Sequence, residues 1–277
     1  MKIYGHTLFK NEEKWLWYSV NSVIDHVDKL LLWDTGSTDN SFKIARQLKK
    51  IYGHKIDLRQ YGQVTPDTFH KARQEMLDLT DSDWFLVVDG DEIWWEESIK
   101  KVVSTIKSDP GDIESIIVPT INMVGDIYHI QPKNAGNYSF SKYKGHYNLR
   151  AVKRSIAGLR SAGQHGVWGW VDKNGRQIQD RQTFKFVDAP YIHSTFLPRG
   201  ESREDDSNVP KRYKKLKYEI GNNLPKDFYY PESFFKQKPD FVSSPWKTMD
   251  LKYKVLAAIQ TPFKNLKRRF KNEKVGY

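Results

Sequence analysis

Two short acidic segments near the N-terminus contain the residues best suited to chemistry. Residues 34–41 (DTGSTDNS) follow an apolar run at 30–33, and residues 89–92 (DGDE) follow an apolar run at 84–88. The second segment places three carboxylates within four residues, and their repulsion at a buried strand end is costly without a cation. Such oxygen ligands suit Mg²⁺ or Mn²⁺, which often bridge substrate phosphates. The alternative interpretation is two strand-to-helix turns with solvated acids.

The surrounding sequence predicts the elements that must position these acids. Apolar runs predict strands at residues 3–9, 30–33, 56–61, 84–88 and 116–118. Apolar spacings of three and four predict helices at residues 11–27, 42–52, 69–79 and 99–106. Strands alternating with helices imply an α/β fold with a mostly parallel central sheet and helices on both faces. Ligands of such sheets bind beyond the carboxyl ends of the strands, where both acidic segments are expected.

The composition excludes several classes of protein. The absence of Cys excludes disulfides, thiolate metal sites and Cys nucleophiles. No uncharged apolar run approaches the ~18 residues of a spanning helix, and no apolar stretch near Met1 resembles a secretory signal. We therefore expect a cytoplasmic protein. Residues 247–277 carry nine basic and two acidic residues, which is +7 of the total +11. Because the remaining body is nearly balanced, no nucleic-acid partner is expected.

Four motifs occur in order: residues 10–13 (KNEE), 34–39 (DTGSTD), 71–74 (KARQ) and 88–92 (VDGDE). This set resembles the nucleotide-sugar half of family-two glycosyltransferases, which have a GT-A, Rossmann-like fold. The resemblance implies a metal-dependent hexosyltransferase that moves a sugar from a nucleotide-sugar donor, a UDP-sugar, to a hydroxyl of a glycan or lipid-linked glycan, with inversion.

We expect the chain to have three parts. Residues 1–125 would form the nucleotide-sugar-binding half, and residues 126–246 the acceptor-binding half of the same domain. Residues 247–277 would form a basic amphipathic C-terminal helix.

The same resemblance implies roles for individual donor-site residues. Asp34 would hydrogen-bond the nucleotide base, and Arg73 would face the base or a phosphate. Asp89 would lie near the ribose and metal-bound waters, with Gly90 in the same donor-binding segment. Asp91 would bind the Mn²⁺ or Mg²⁺ ion that bridges the two phosphates, which makes it a catalytic residue. Such an ion stabilises the negative charge left on the departing nucleoside diphosphate.

Two later residues are further candidates for the donor site. His193 resembles the late histidine that completes metal coordination in many GT-A enzymes, although a structural histidine is the alternative. Arg199 lies six residues further on. It could bind phosphate oxygens in a bidentate way, or form a surface salt bridge.

An inverting mechanism also needs a general base to deprotonate the acceptor hydroxyl. His165 lies where a related subgroup carries a His-Glu pair, but Gly166 occupies the position of that Glu. His165 is our catalytic candidate, and Asp172 and Asp180 stay open as alternatives.

The basic tail predicts a surface helix. Within residues 248–271, Leu256, Ile259, Phe263, Leu266 and Phe270 fall on one helical face. Basic residues surround that face, which favours binding to an anionic membrane surface and a peripheral location on its inner side. The alternative is a terminal helix whose apolar face packs on its own domain.

Two other functions are alternatives to glycosyl transfer. A sugar-1-phosphate nucleotidyltransferase also uses acidic metal ligands on an α/β sheet, but it needs a Gly-rich phosphate loop, and residues 10–13 contain no Gly. A non-catalytic protein that binds membranes or nucleic acid through the basic tail is the alternative from another class.

Overall fold

The computed structural model describes residues 1–136, 138–140, 142–198 and 218–269. The α-helices in these ranges are α1 Leu16–Val23, α2 Ser41–Tyr52, α3 Phe69–Asp78, α4 Glu96–Ser108 and α5 Leu251–Arg269. The strands are β1 Ile3–Phe9, β2 Lys29–Asp34, β3 Ile56–Gln60, β4 Trp84–Val87, β5 Glu92–Trp94, β6 Ser115–Val124, β7 Asp126–Ile130, β8 Tyr138–Phe140, β9 Tyr143–Gly145, β10 Tyr147–Lys153, β11 Arg160–Ala162, β12 Gly169–Val171, β13 Phe184–Phe186, β14 Tyr191–Phe196 and β15 Asn222–Asn223.

The central sheet has the order β15-β7-β6-β10-β4-β1-β2-β3. Strands β3, β2, β1 and β4 pair in parallel. Strand β10 is antiparallel to both β4 and β6, so β6 runs in the same direction as β4. Strands β13 and β14 add to β6 in parallel, and β5 pairs antiparallel with β14. The predicted mostly parallel α/β sheet is confirmed, and the carboxyl ends of β1, β2 and β4 meet at one edge.

The core forms where the apolar runs predicted strands. All four residues of β4 are buried, and so are the last five of β2. Helix α2 covers the sheet with Ile44, Ala45 and Leu48, which are fully buried and share one helical face. Helix α1 begins at Leu16, later than the predicted residue 11. Asn11 has a φ of 54°, a left-handed conformation that an α-helix does not contain.

Helix α5 is attached to the domain by polar contacts. The buried Glu219 carboxylate accepts a hydrogen bond from Arg268 Nη2 at 2.9 Å, and Lys264 Nζ donates to the carbonyl of Tyr218 at 2.9 Å. Ala257 is the residue of α5 that is buried. Across the described ranges, every helix is too short or too polar to cross a bilayer.

Candidate active site

A cavity of about 490 Å³ opens at the sheet edge where β1, β2 and β4 end. Its wall includes Phe9 at the end of β1, Thr35 after β2 and residues 89–91 after β4. The wall also includes residues 148–150 of β10, residues 165 and 166, and residues 168–170. The volume lies within the range of about 300–1,000 Å³ that is typical of ligand pockets. The cavity occupies the position at which parallel α/β sheets bind their ligands.

The first two sequence motifs are joined to each other by hydrogen bonds. Asn11 Oδ1 accepts the N–H of Thr38 at 2.8 Å, and the N–H of Asn11 donates to Ser37 Oγ at 3.0 Å. The N–H of Glu12 donates to Ser41 Oγ at 2.7 Å. The left-handed backbone at Asn11 therefore serves to place its amide against the turn after β2. The two motifs form one continuous support beside the cavity.

Asp34 supports the turn that borders the cavity. It is 3% exposed, and its Oδ1 accepts the N–H of Ser37 at 3.0 Å. Thr35 and Gln63 form the cavity wall next to it. Gly36 has a φ of 91°, and a Cβ there would lie 2.6 Å from Gln63 Nε2, so the turn needs glycine. The role of Asp34 toward a nucleotide base stays a prediction.

Arg73 is buried under the cavity and pairs with Asp89. The side chain of Arg73 is 2% exposed, and its Nη2 lies 2.8 Å from Asp89 Oδ1. Its guanidinium carbon lies 5.2 Å from the ring centre of Trp168. Burial acts to raise the pKa of Asp89, but the charges of Arg73 and Arg150 outweigh it and hold that pKa well below its usual range. Asp89 is therefore an ionised carboxylate fixed by arginine.

Glu92 is fully buried behind Asp89. Its Oε1 forms an ion pair with Arg150 and accepts the Tyr191 hydroxyl at 2.8 Å. Arg150 Nη2 also lies 3.5 Å from Asp89 Oδ2. Burial raises the pKa of Glu92, because the attraction of Arg150 only partly opposes it and both Asp89 and Asp91 add to it. Two of the three clustered carboxylates thus contact arginine, which offsets the repulsion within the cluster.

Asp91 and His193 are brought together by the pairing of β5 with β14. His193 lies opposite Glu92 in this antiparallel pair, and the N–H of Ser194 donates to the carbonyl of Asp91 at 2.9 Å. His193 Nε2 lies 3.6 Å from Asp91 Oδ2. Both residues line the cavity. The side chain of His193 is 16% exposed and that of Asp91 is 5% exposed. The structure therefore places the two predicted metal ligands side by side.

This pair fits part of a metal site. Within the described residues, no group of three or more His, Asp or Glu side chains is placed to hold a metal. A carboxylate and an imidazole facing a cavity do suit Mn²⁺ or Mg²⁺, because such ions use few protein ligands and complete their coordination with phosphate oxygens and water. The chain would supply two ligands of such a site.

The three candidates for the general base lie in different surroundings. Among the described residues, His165 is the one of the three that lines the cavity, and its ring stacks on Phe69 with centroids 4.3 Å apart. Asp172 is 4% exposed and its Oδ2 pairs with Arg181 Nη1 at 2.7 Å, outside the cavity wall. Asp180 is exposed. The geometry therefore favours His165 for contact with a ligand in this cavity.

Two predicted donor-site residues remain. Gly90 lies on the cavity wall between the two aspartates, and a Cβ at this position would lie 3.1 Å from Glu12 Cγ. A side chain there would press on Glu12, so glycine lets the acidic turn approach the 10–13 segment. Arg199 lies outside the described residues.

Arg150 is a site residue that the sequence analysis missed. The pairing of β10 with β6 shifts between Leu149 and Ala151, so Arg150 is the extra residue of a β-bulge. Because of the bulge, the adjacent Leu149 and Arg150 both line the cavity, whereas neighbours in a regular strand face opposite sides. The available signal was a charged residue inside the otherwise apolar stretch 149–152.

The structure also resembles solved structures of other proteins. One match is the crystal structure of S. aureus TarS 1-349 in complex with UDP-GlcNAc. Its TM-score is 0.51, with 13% identity over 78% of this chain and 64% of that one. Another S. aureus TarS structure matches with a TM-score of 0.49 and 11% identity, over 78% of this chain and 43% of that one. This chain thus spans less than half of that TarS chain.

A third match is the glucosyl-3-phosphoglycerate synthase of Mycobacterium tuberculosis in complex with Mn²⁺, UDP and glucosyl-3-phosphoglycerate. Its TM-score is 0.44, with 14% identity over 69% of this chain and 71% of that one. The likeness to TarS 1-349 confirms the predicted GT-A-like fold. No curated protein matches the sequence. The family model described as glycosyl transferase family 2 matches residues 7–163, which is more than half of the 277 residues. This chain therefore belongs to glycosyl transferase family 2 and is a glycosyltransferase.

Proposed function

We propose that this enzyme transfers a sugar from a UDP-sugar to a hydroxyl of a glycan or lipid-linked glycan, with Mn²⁺ or Mg²⁺ and with inversion. The observation that carries the proposal is the pair of Asp91 and His193, 3.6 Å apart on the wall of the first cavity. The UDP-GlcNAc bound to TarS 1-349, a protein of the same fold, supports the choice of donor.

Each part of the cavity has a proposed task. A divalent ion held by Asp91 and His193 would neutralise the charge that the leaving diphosphate acquires. Arg73 holds Asp89 ionised and in place, so that the carboxylate can meet the donor in one orientation. His165, which also lines the cavity, accepts the proton of the acceptor hydroxyl as that oxygen attacks the anomeric carbon. The nearby ring of Trp168 gives a sugar an apolar face to pack on.

Thermal stabilisation by nucleotides tests the donor site, because a ligand that binds only the native state raises Tm. We expect UDP with Mn²⁺ to raise Tm more than UDP alone, and more than GDP or ADP with Mn²⁺. Asp91→Asn and His193→Ala should lose the Mn²⁺-dependent part of the shift. Asp180→Asn is the matched control, since Asp180 is exposed and lies off the cavity wall. An unchanged Mn²⁺-dependent shift in Asp91→Asn would contradict the metal assignment.

We also propose that α5 binds an anionic membrane surface. Its exposed apolar residues are each more than half exposed and fall at spacings of four, four, four and three, on one face of the helix: Leu251, Val255, Ile259, Phe263 and Leu266. The exposed cations Lys252, Lys267 and Arg269 lie on the same helix. An apolar stripe flanked by cations is typical of helices that lie in the interface of anionic bilayers.

The apolar stripe shares Ile259, Phe263 and Leu266 with the one predicted from sequence alone. Leu256 was expected on the outer face but is half-buried, next to the buried Ala257. Phe270 lies outside the described residues. Two of the basic residues around the predicted stripe, Lys264 and Arg268, contact Tyr218 and Glu219 of the domain.

Point substitutions test this proposal better than deletion of α5, because deletion would leave the buried carboxylate of Glu219 without Arg268. We expect Ile259→Ser/Phe263→Ser to lose most binding to vesicles of phosphatidylcholine and phosphatidylglycerol in a sedimentation assay. Ile51→Ser/Leu79→Ser is the control, since both residues are exposed apolar side chains on other elements. Equal binding by the two double variants would refute a role for α5.

A further inference from the structure

A second cavity, of about 450 Å³, lies outside the site described above and shares none of its described lining residues. Its wall is mostly apolar and aromatic, and includes Trp15, Ile127, Phe196, Leu197, Met249 and Tyr253. Pockets of this volume, with apolar walls and a few polar groups, are typical of sites for small molecules. Nothing in the proposed donor chemistry uses this cavity.

The charged groups at the second cavity favour an anion. Lys14, Lys247 and Lys252 line it, and the latter two are exposed. Asp126 and Asp250 also line it, but backbone groups engage both carboxylates. Asp126 accepts the N–H of Met249 at 3.0 Å, and Asp250 accepts an N–H of the first turn of α5 at 2.6 Å. The acids therefore hold the start of α5 in place, while the two exposed lysines direct positive charge to the cavity mouth.

The mouth adjoins the surface that we propose to meet the membrane. Residues 247–250, 252 and 253 line the cavity, whereas Leu251 between them is 78% exposed and Trp246 before them is 37% exposed. Val255, one turn after Leu251, is also exposed. Tryptophan is enriched at membrane interfaces, where one part of its ring system is apolar and another is wet. A molecule leaving a bilayer at α5 would meet this cavity first.

We propose that the second cavity binds an anionic amphiphile. The apolar chain would lie against Trp15, Phe196 and Met249, and the phosphate or carboxylate of the headgroup would lie against Lys247 and Lys252. This combination of apolar walls and lysines at the mouth suits neither a free inorganic anion nor a neutral lipid.

The position of the cavity gives this ligand a role in the reaction. His193 lines the first cavity and Phe196 lines the second, and both belong to β14. Three residues of extended strand cover about 10 Å, so the two cavities lie close to each other along β14. The cavity would then hold the lipid part of a lipid-linked acceptor, a step that rests on the proposed function.

Calorimetric titration with dodecyl phosphate below its critical micelle concentration tests the binding directly, without nucleotide or membrane. We expect saturable binding at one site, weakened about tenfold in Lys247→Ala/Lys252→Ala because two cations near the headgroup are lost. Lys254→Ala/Lys267→Ala is the matched control, since these two lysines are exposed on α5 but lie off the cavity wall. The control should bind as tightly as the wild type.

Further titrations separate the contribution of the ligand's alkyl chain from that of its headgroup. Inorganic phosphate and dodecyl maltoside should both bind more weakly than dodecyl phosphate, and Thr248→Trp, which adds bulk at an exposed lining position, should abolish binding. Absent binding, equal weakening by both lysine pairs, or equal affinity for dodecyl maltoside would overturn the proposal. The Mn²⁺-dependent shift of Tm by UDP should be unchanged in Lys247→Ala/Lys252→Ala. Loss of dodecyl phosphate binding therefore does not count against the donor site, and failure of the donor site does not count against this one.

Discussion

Asp89 and Asp91 are two residues apart, yet the fold gives them opposite surroundings. Asp89 pairs with Arg73 at 2.8 Å and approaches Arg150 at 3.5 Å, so its negative charge is balanced by protein cations. Asp91 approaches the imidazole of His193 at 3.6 Å. A carboxylate between arginines is suited to hold a fixed position, whereas a carboxylate beside an imidazole is suited to share a metal ion. One acidic turn thus combines a structural charge with a proposed ligand.

The largest expected effect separates these two roles. Asp91→Asn keeps the shape of the side chain but removes its charge, and we expect kcat for UDP-sugar turnover with Mn²⁺ to fall about 10³-fold. Its Tm should stay close to the wild-type value, because the carbonyl of Asp91 still accepts the N–H of Ser194. Steady-state kinetics and a thermal melt of the same preparation measure both quantities.

Asp89→Asn is the comparison for this prediction. It should lower Tm, because Arg73 loses its ionised partner in a buried position. If Asp91→Asn retained the wild-type rate, or if the two variants lost stability to the same extent, the proposed division of roles would be wrong.

A second prediction concerns the buried guanidinium. Arg73→Met should lower the free energy of unfolding by about 3 kcal/mol, the lower end of the cost of breaking a buried ion pair. The lower end applies because the Asp89 side chain is 37% exposed to the cavity and can regain water. Urea denaturation of Arg73→Met, Asp89→Asn and the double variant gives the coupling between the two residues. Additive losses would show that the pair does not act as a unit.

Much of the fold could be predicted from local sequence, and the exceptions depend on distant contacts. The runs at 30–33 and 84–88 became β2 and β4 because they are buried on both faces. Strand β5 was missed because its three residues directly follow a turn signal, and their partner, β14, lies about a hundred residues away in the sequence. The late start of α1 depends on Asn11, whose backbone conformation is fixed by the turn after β2.

The candidate site likewise combines residues that could be predicted from the sequence with residues whose roles depend on distant contacts. The resemblance to a family, rather than any spacing, linked Asp91 with His193 across 102 positions of the sequence. The neutralisation of Asp89 by Arg150 was not predictable, because it depends on a bulge in β10 that turns an arginine toward the cavity. The burial of the Glu92 side chain was not predictable either, because Glu92 directly follows a turn of acidic residues.

The smallest expected effect is a difference in pH dependence within the acidic turn. The pKa of Asp89 is lowered in the folded protein, so its contribution to stability is present above the unfolded pKa of about 4 and is lost as pH falls below it. Because the side chain is partly exposed, we expect a loss of about 1 kcal/mol. Urea denaturation of wild type and Asp89→Asn from pH 6 to pH 3, a range set by that unfolded pKa of about 4, measures this loss.

Glu92 should change the stability with pH in the opposite direction, within the same turn. Its pKa is raised by burial, so its contribution is largest below its unfolded pKa and is lost as pH rises toward the folded value of about 8. Asp89→Asn should therefore flatten the acid side of the stability profile, and Glu92→Gln the neutral side. On unfolding, Asp89 should take up a proton and Glu92 should release one. If both variants flattened the same side of the stability profile, the two carboxylates would not have opposite electrostatic surroundings.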